Sequence, residues 1–162
     1  MTFSAAGIGA DVSPDAAILS VDGVVYRFSD LPVSFSWAIN SMHSYQWAEH
    51  VPSVTDGKRY AWKSVRGVMS GMGGILFVPV GGGSVLAEYV VQYLWVVSAE
   101  GVGSDVAFPR APVSVDGAFI DLESLPFSFW WDEGSRHVYC FEEFLQSTGY
   151  KRTLTTVPDA LT

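Results

Sequence analysis

The chain has 162 residues, a formal net charge of −8 and only 16% charged residues, against 14% aromatic ones. Nucleic acid is excluded as the main ligand, because neutralising phosphates takes Lys and Arg, and the nine present are mostly scattered. So few charges also leave a lone monomer short of polar surface, which points to contact with other subunits, a partner or lipid.

The single cysteine, Cys140, excludes an intrachain disulfide. The opening Met-Thr-Phe-Ser-Ala carries neither a basic nor an apolar leader region, so no secretory signal is expected. Ser4–Trp47 aligns without gaps on Ser98–Phe141, 94 positions later, with 19 identities in 44 pairs. Roughly 3 would arise by chance at ordinary residue frequencies. The expected organisation is therefore one domain with an internal duplication: a first unit at 4–65, an apolar insert at 66–97, a second unit at 98–157 and a tail at 158–162.

In chain order, residues 4–16 are small and turn-rich, and their Gly-x-Gly-x-Asp-Val core returns at 101–106. No third glycine and no Lys-Ser/Thr follow at phosphate-loop spacing, so the glycines read as turn formers. Next, Asp22-Gly23 and Asp116-Gly117 sit between β-rich runs, the signature of a type I′ hairpin. Both aspartates are assigned to the turn rather than to catalysis.

After Leu31-Pro32 and Leu125-Pro126, Val33, Phe35 and Trp37 alternate with serines, and Phe127, Phe129 and Trp131 repeat the pattern. Strict alternation predicts a half-buried aromatic sheet face. Trp130 breaks the polar face in the second copy alone, which makes it a candidate interface residue. His43-x-Tyr45 and His137-x-Tyr139 follow. With His50 they offer too few ligands in recognised spacing for a metal, and no nucleophile has an identifiable setting. Both histidines are read as structural or interfacial.

Lys58-Arg-Tyr-Ala-Trp-Lys63 and Arg66 form the only basic concentration, interleaved with Tyr60 and Trp62. A strand with solvated cations, or one complementing an acidic neighbour, is preferred over a base-stacking surface. Gly67–Ala87 then carries no charge and has the length of a membrane span, but its seven glycines and Pro79 make a poor helix. Ile75–Val80 is expected as a short strand. Ser84–Val97 fits both a capped amphipathic helix, with Leu86, Val90, Leu94 and Val97 on one face, and a β-rich strand.

The expected fold is mainly β, a sandwich or barrel of two related halves, with an apolar Gly-rich insert reaching toward a neighbour and including, on one reading, a short helix. The Val-Asp-Gly turn followed by Ser-Phe-Ser-Trp resembles short β motifs of tailed-phage virion proteins, a generic likeness that sets no residue roles. The expected function is a non-enzymatic structural subunit of a self-assembling particle, a virus or phage capsid, decoration or tail component assembled in the host cytoplasm. Its partners are copies of itself and other subunits, with no cofactor, no catalytic residue and no metal. The candidate interface is Trp130, Ile75, Leu76, Phe77, Tyr60, Trp62, His43 and His137. The alternative is a small acidic cytoplasmic binding module, either an immunity-type inhibitor or a carbohydrate-binding sandwich.

Overall fold

A computed structural model describes residues 1–103, 105–108, 111–147 and 151–153. The protein is mainly β, with 53% of it in strands; among the described residues, helix is limited to two 3-10 turns, Phe28–Asp30 and Leu122–Ser124. It divides into two compact units, Met1–Tyr93 and Leu94 onward. The expected tail at 158–162 lies outside the described residues.

The first unit contains β1 (Thr2–Ala6), β2 (Ala17–Val21), β3 (Val24–Arg27), β4 (Val33–Ser34), β5 (Met42–Trp47), β6 (His50–Pro52), β7 (Lys58–Gly67), β8 (Gly73–Phe77) and most of β9 (Ser84–Val97). One sheet has the order β4-β1-β9-β7-β6 and the other β3-β2-β5-β8. Their inward side chains share one core. Phe3, Val51, Tyr60, Val85, Ala87 and Tyr89 come from the first sheet, and Ile18, Leu19, Val21, Tyr45, Trp47 and Leu76 from the second.

The insert behaves differently from the expected arm. Residues 84–88 of β9 run parallel to β1, and β7 lies antiparallel along the other side of β9, so its backbone groups are satisfied within the unit. Val85, Ala87 and Tyr89 point inward while Leu86 and Glu88 point outward, a period of two where a helix would have grouped residues four apart. Ser84–Val97 is thus a strand. β8 closes the edge of the second sheet against β5. No helix among the described residues is long and apolar enough to cross a membrane.

The second unit contains β10 (Val106–Phe108), β11 (Val113–Val115), β12 (Ala118–Ile120), β13 (Phe127–Asp132), β14 (Tyr139–Phe141), β15 (Phe144–Ser147) and β16 (Lys151–Thr153). Its sheets have the orders β12-β11-β14 and β10-β15-β16, and within the unit the rings of Trp95 and Trp131 are 5.4 Å apart. Val113, Val115 and Ile120 form its core with Val97, Leu125, Phe129, Trp131 and Phe141.

The same pairings recur 94 positions apart. Leu19 opposes Tyr26 and Trp47, and Val113 opposes Ile120 and Phe141. Val12 bridges Ser53, and Val106 pairs with Ser147. The 3-10 turns fall at the same offset, and the Leu31–Pro32 and Leu125–Pro126 bonds after them are both cis. Asp22 and Gly23 have φ of 50° and 81°, Asp116 and Gly117 49° and 81°, the left-handed pair that a type I′ turn demands.

Candidate functional site

Each Asp-Gly turn anchors a four-residue cluster. Asp22 holds its carboxylate at the tip of the β2–β3 hairpin, where Oδ1 accepts the Ser44 backbone N–H at 2.8 Å and Oδ2 lies 2.6 Å from His43 Nδ1. The other ring nitrogen, Nε2, is 2.9 Å from Ser41 Oγ, and that hydroxyl donates to the Ala38 carbonyl at 2.7 Å. Trp37 covers the imidazole face to face, with centroids 3.7 Å apart and planes 10° apart.

The second unit repeats this arrangement. Asp116 accepts from Val138 N–H at 2.9 Å and lies 2.7 Å from His137 Nδ1, and Ser135 Oγ is 2.8 Å from Nε2 and donates to the Asp132 carbonyl at 2.6 Å. Trp131 stacks on His137 at 4.0 Å and 7°. The tight bend before each serine needs a left-handed residue, supplied by Asn40 at φ 62° and Gly134 at φ 75°.

The order Ser Oγ, His Nε2, His Nδ1, Asp carboxylate is that of a nucleophile relay. Three local features constrain it. The serine is two residues from its histidine, its proton has a main-chain acceptor three residues back, and an indole covers one face of the ring. Two surface depressions, one beside β8 and one beside Tyr89, are lined by neither serine. What the cluster does physically is tie three segments together: the hairpin tip, the bend after the aromatic run, and the strand that follows.

A further polar node surrounds Asp11. Its carboxylate accepts from Tyr60 hydroxyl and from Ser53 Oγ at 2.6 Å, and pairs with Lys58 Nζ at 2.8 Å. It pins the Gly-x-Gly loop to β6 and β7. Lys58, with Ser53 and Tyr60 behind it, holds the Asp11 carboxyl well below its ordinary range. The His43 and His137 rings, and then the backbone donors, lower Asp22 and Asp116 likewise.

A carboxyl depressed in the folded state binds its proton first in the unfolded state, so its stabilisation is present above the ordinary carboxylate pKa, near 3.8, and is lost as the pH falls through the folded value. Urea midpoints are therefore expected to decline as pH drops below about 4. Asp11→Asn is expected to flatten that decline and also to lower the midpoint near neutral pH. An unchanged acid limb in the variant would show that the node contributes nothing.

The sequence candidates separate by orientation. Ile75 and Phe77 are 58% and 63% exposed on β8, whereas Leu76 between them is buried in the core. Tyr60 is fully buried, with its hydroxyl on Asp11. Leu76 and Tyr60 are core residues that offer nothing to a partner. Trp62 is half-buried against the first core with its indole N–H unpartnered. Trp130 is half-buried on β13, and His43 and His137 are held in the two clusters. Of the basic run, Lys58 serves Asp11, Arg66 pairs with Glu88 at 2.8 Å and Arg59 donates to Gln92 at 2.8 Å. Among the described residues no three His, Cys, Asp or Glu side chains gather as a metal site.

The aspartates, serines and tryptophans of the clusters were not read as one unit in the sequence. The signal was present: Asp22, Trp37, Ser41 and His43 are all among the identities at offset 94. Fold and site together define a two-unit, mainly β chain whose hairpins carry matching His-Asp braces. No protein-family model, curated protein or solved structure matches it.

Proposed function

We propose that the chain is two tandem copies of one β unit acting as a non-enzymatic structural subunit of a self-assembling particle, a virus or phage virion component of the capsid, decoration or tail type. The observation that supports this most is the outer face of the β3-β2-β5-β8 sheet. By register it carries Val25, Ser20 and Gln46 in one row, Ser44 and Ile75 in the next, and Met42 opposite Phe77 in the third, with no charge among them. Val25, Met42, Ile75 and Phe77 are each more than half exposed. The matching face of the second unit carries Phe119 and Val138, both 74% exposed, beside Ser114 and Cys140.

Large exposed apolar side chains at equivalent places in both units suit burial against further subunits. The alternative binding modules fit less well. A carbohydrate-binding sandwich needs open aromatic platforms, but Phe35 and Trp37 pack against Phe3. An inhibitor of a basic toxin needs a carboxylate-rich face, and Asp11, Asp22, Asp116 and Glu88 already have partners within the chain.

Light scattering and electron microscopy of the purified chain test the reading. Concentration-dependent oligomers or regular particles are expected. A monodisperse monomer at the highest soluble concentration would overturn it.

A further inference from the structure

Among the described residues the outer edge of β14 is open where its counterpart is closed. In the first unit β8 lies along β5, pairing Gly73–Phe77 with Gln46–Met42. Residues 136–140 stand 94 positions after 42–46, and β14 lies on β11 in the register of β5 on β2. Among the described residues no strand takes the place of β8: β14 ends its three-stranded sheet. Tyr139 and Cys140 are exposed there, and the edge Val138-Tyr-Cys-Phe141 carries no Lys or Pro, the usual devices that blunt an exposed edge.

The charges beside this edge say what suits it. Arg136 precedes the strand, and Glu142 and Glu143 follow it. The natural partner is an antiparallel strand that is acidic at its far end and basic at its near end. β8 has no charge to offer, whereas a second copy of this chain run antiparallel matches at both ends. Resting on the assembly reading, we propose that β14 pairs with β14 of a second copy across a twofold axis, joining two three-stranded sheets into one.

A twofold axis normal to the sheet requires one residue to face its own symmetry mate. With Cys140 at that centre, Tyr139 faces Phe141 of the other copy, and Arg136 lies one diagonal step from Glu142 on the same face. One contact closes both open edges. Directly opposed residues of an antiparallel pair have Cα atoms about 4.5–5.5 Å apart, inside the span of about 4.4–6.8 Å that a disulfide bridges. The protein therefore carries its own probe.

Treatment with the azo oxidant diamide is the test. The two thiols lose two protons and two electrons to form the S–S bond, and diamide is reduced to the hydrazine. A dimer joined through the Cys140 peptides by mass spectrometry is expected, formed at least about tenfold faster than diamide joins thiols brought together by diffusion. Cys140→Ala should keep its oligomeric mass by light scattering yet give no cross-link. Glu142→Lys with Glu143→Lys should weaken association, and mixing that variant with Arg136→Glu should restore it. Oligomers that form but never cross-link, or that ignore the charge reversals, overturn this edge and leave the assembly reading standing. Monomers at every concentration overturn both.

Discussion

Replacing Trp47 by alanine is expected to cost about 3–5 kcal/mol, the range for deleting a large aromatic from a packed core. Trp47 is fully buried at the end of β5, opposite Leu19, with its ring 6.2 Å from Phe3 and its backbone N–H donated to the Met72 carbonyl at 2.8 Å. It joins the two sheets of the first unit at one point. A loss of this size is a large share of the 5–15 kcal/mol or so that holds an ordinary domain together.

The phenylalanine variant separates volume from polarity. The indole N–H of Trp47 is buried without an acceptor, and a buried unpaired donor costs about 1–3 kcal/mol. Trp47→Phe removes that donor, keeps a ring against Phe3 and installs the residue found at the matching position, Phe141. Its expected cost is under about 1.5 kcal/mol, as for a modest core swap. Denaturant midpoints measure both variants. Residue-resolved hydrogen exchange should show protection lost in β2, β5 and β8 and kept in β11 and β14. Equal costs for the two substitutions would refute the role assigned to the ring.

How much was legible in the sequence depended on how local the determinant was. The Asp-Gly turns were readable because two residues set them, and the alternation of Val33, Phe35 and Trp37 with serines survives as alternating burial. The state of Ser84–Val97 was not, since Val-Val-Gln-Tyr-Leu-Trp suits helix or strand and the choice is made by β1 and β7 across long sequence distances. The apolar insert follows the same rule. A run without charge looks like an arm until the strands that bury its alternate residues are known.

The braces were half legible. His43 and His137 stood out as repeated, but their meaning lies in contacts with an aspartate 21 residues earlier and a tryptophan six residues earlier, which no periodicity reveals. Tyr60 stands among basic neighbours in the sequence, which does not reveal the side its ring takes. Within β7 it points inward to a fully buried position.

A paired glycine substitution tests whether the insert is what makes the two units differ. Gly7 and Gly101 occupy matching positions with φ of 78° and 71°. An alanine forced into that left-handed region costs about 1–2 kcal/mol at either place. The surroundings are unequal. A Cβ on Gly7 would sit 2.0 Å from the Tyr89 carbonyl oxygen, main chain of β9 that cannot swing aside, whereas a Cβ on Gly101 meets no described atom within 4 Å. Against the described residues, Gly101→Ala should therefore add nothing to the backbone cost. Gly7→Ala should lose that and also part β1 from β9 just beyond the Ala6–Glu88 pair, reaching the range above about 4 kcal/mol that few substitutions attain. Thermal and urea unfolding of the two variants side by side give the comparison. Comparable losses would mean that β9 does not press on the first loop, and that the insert is not the strand that sets the first unit apart from the second.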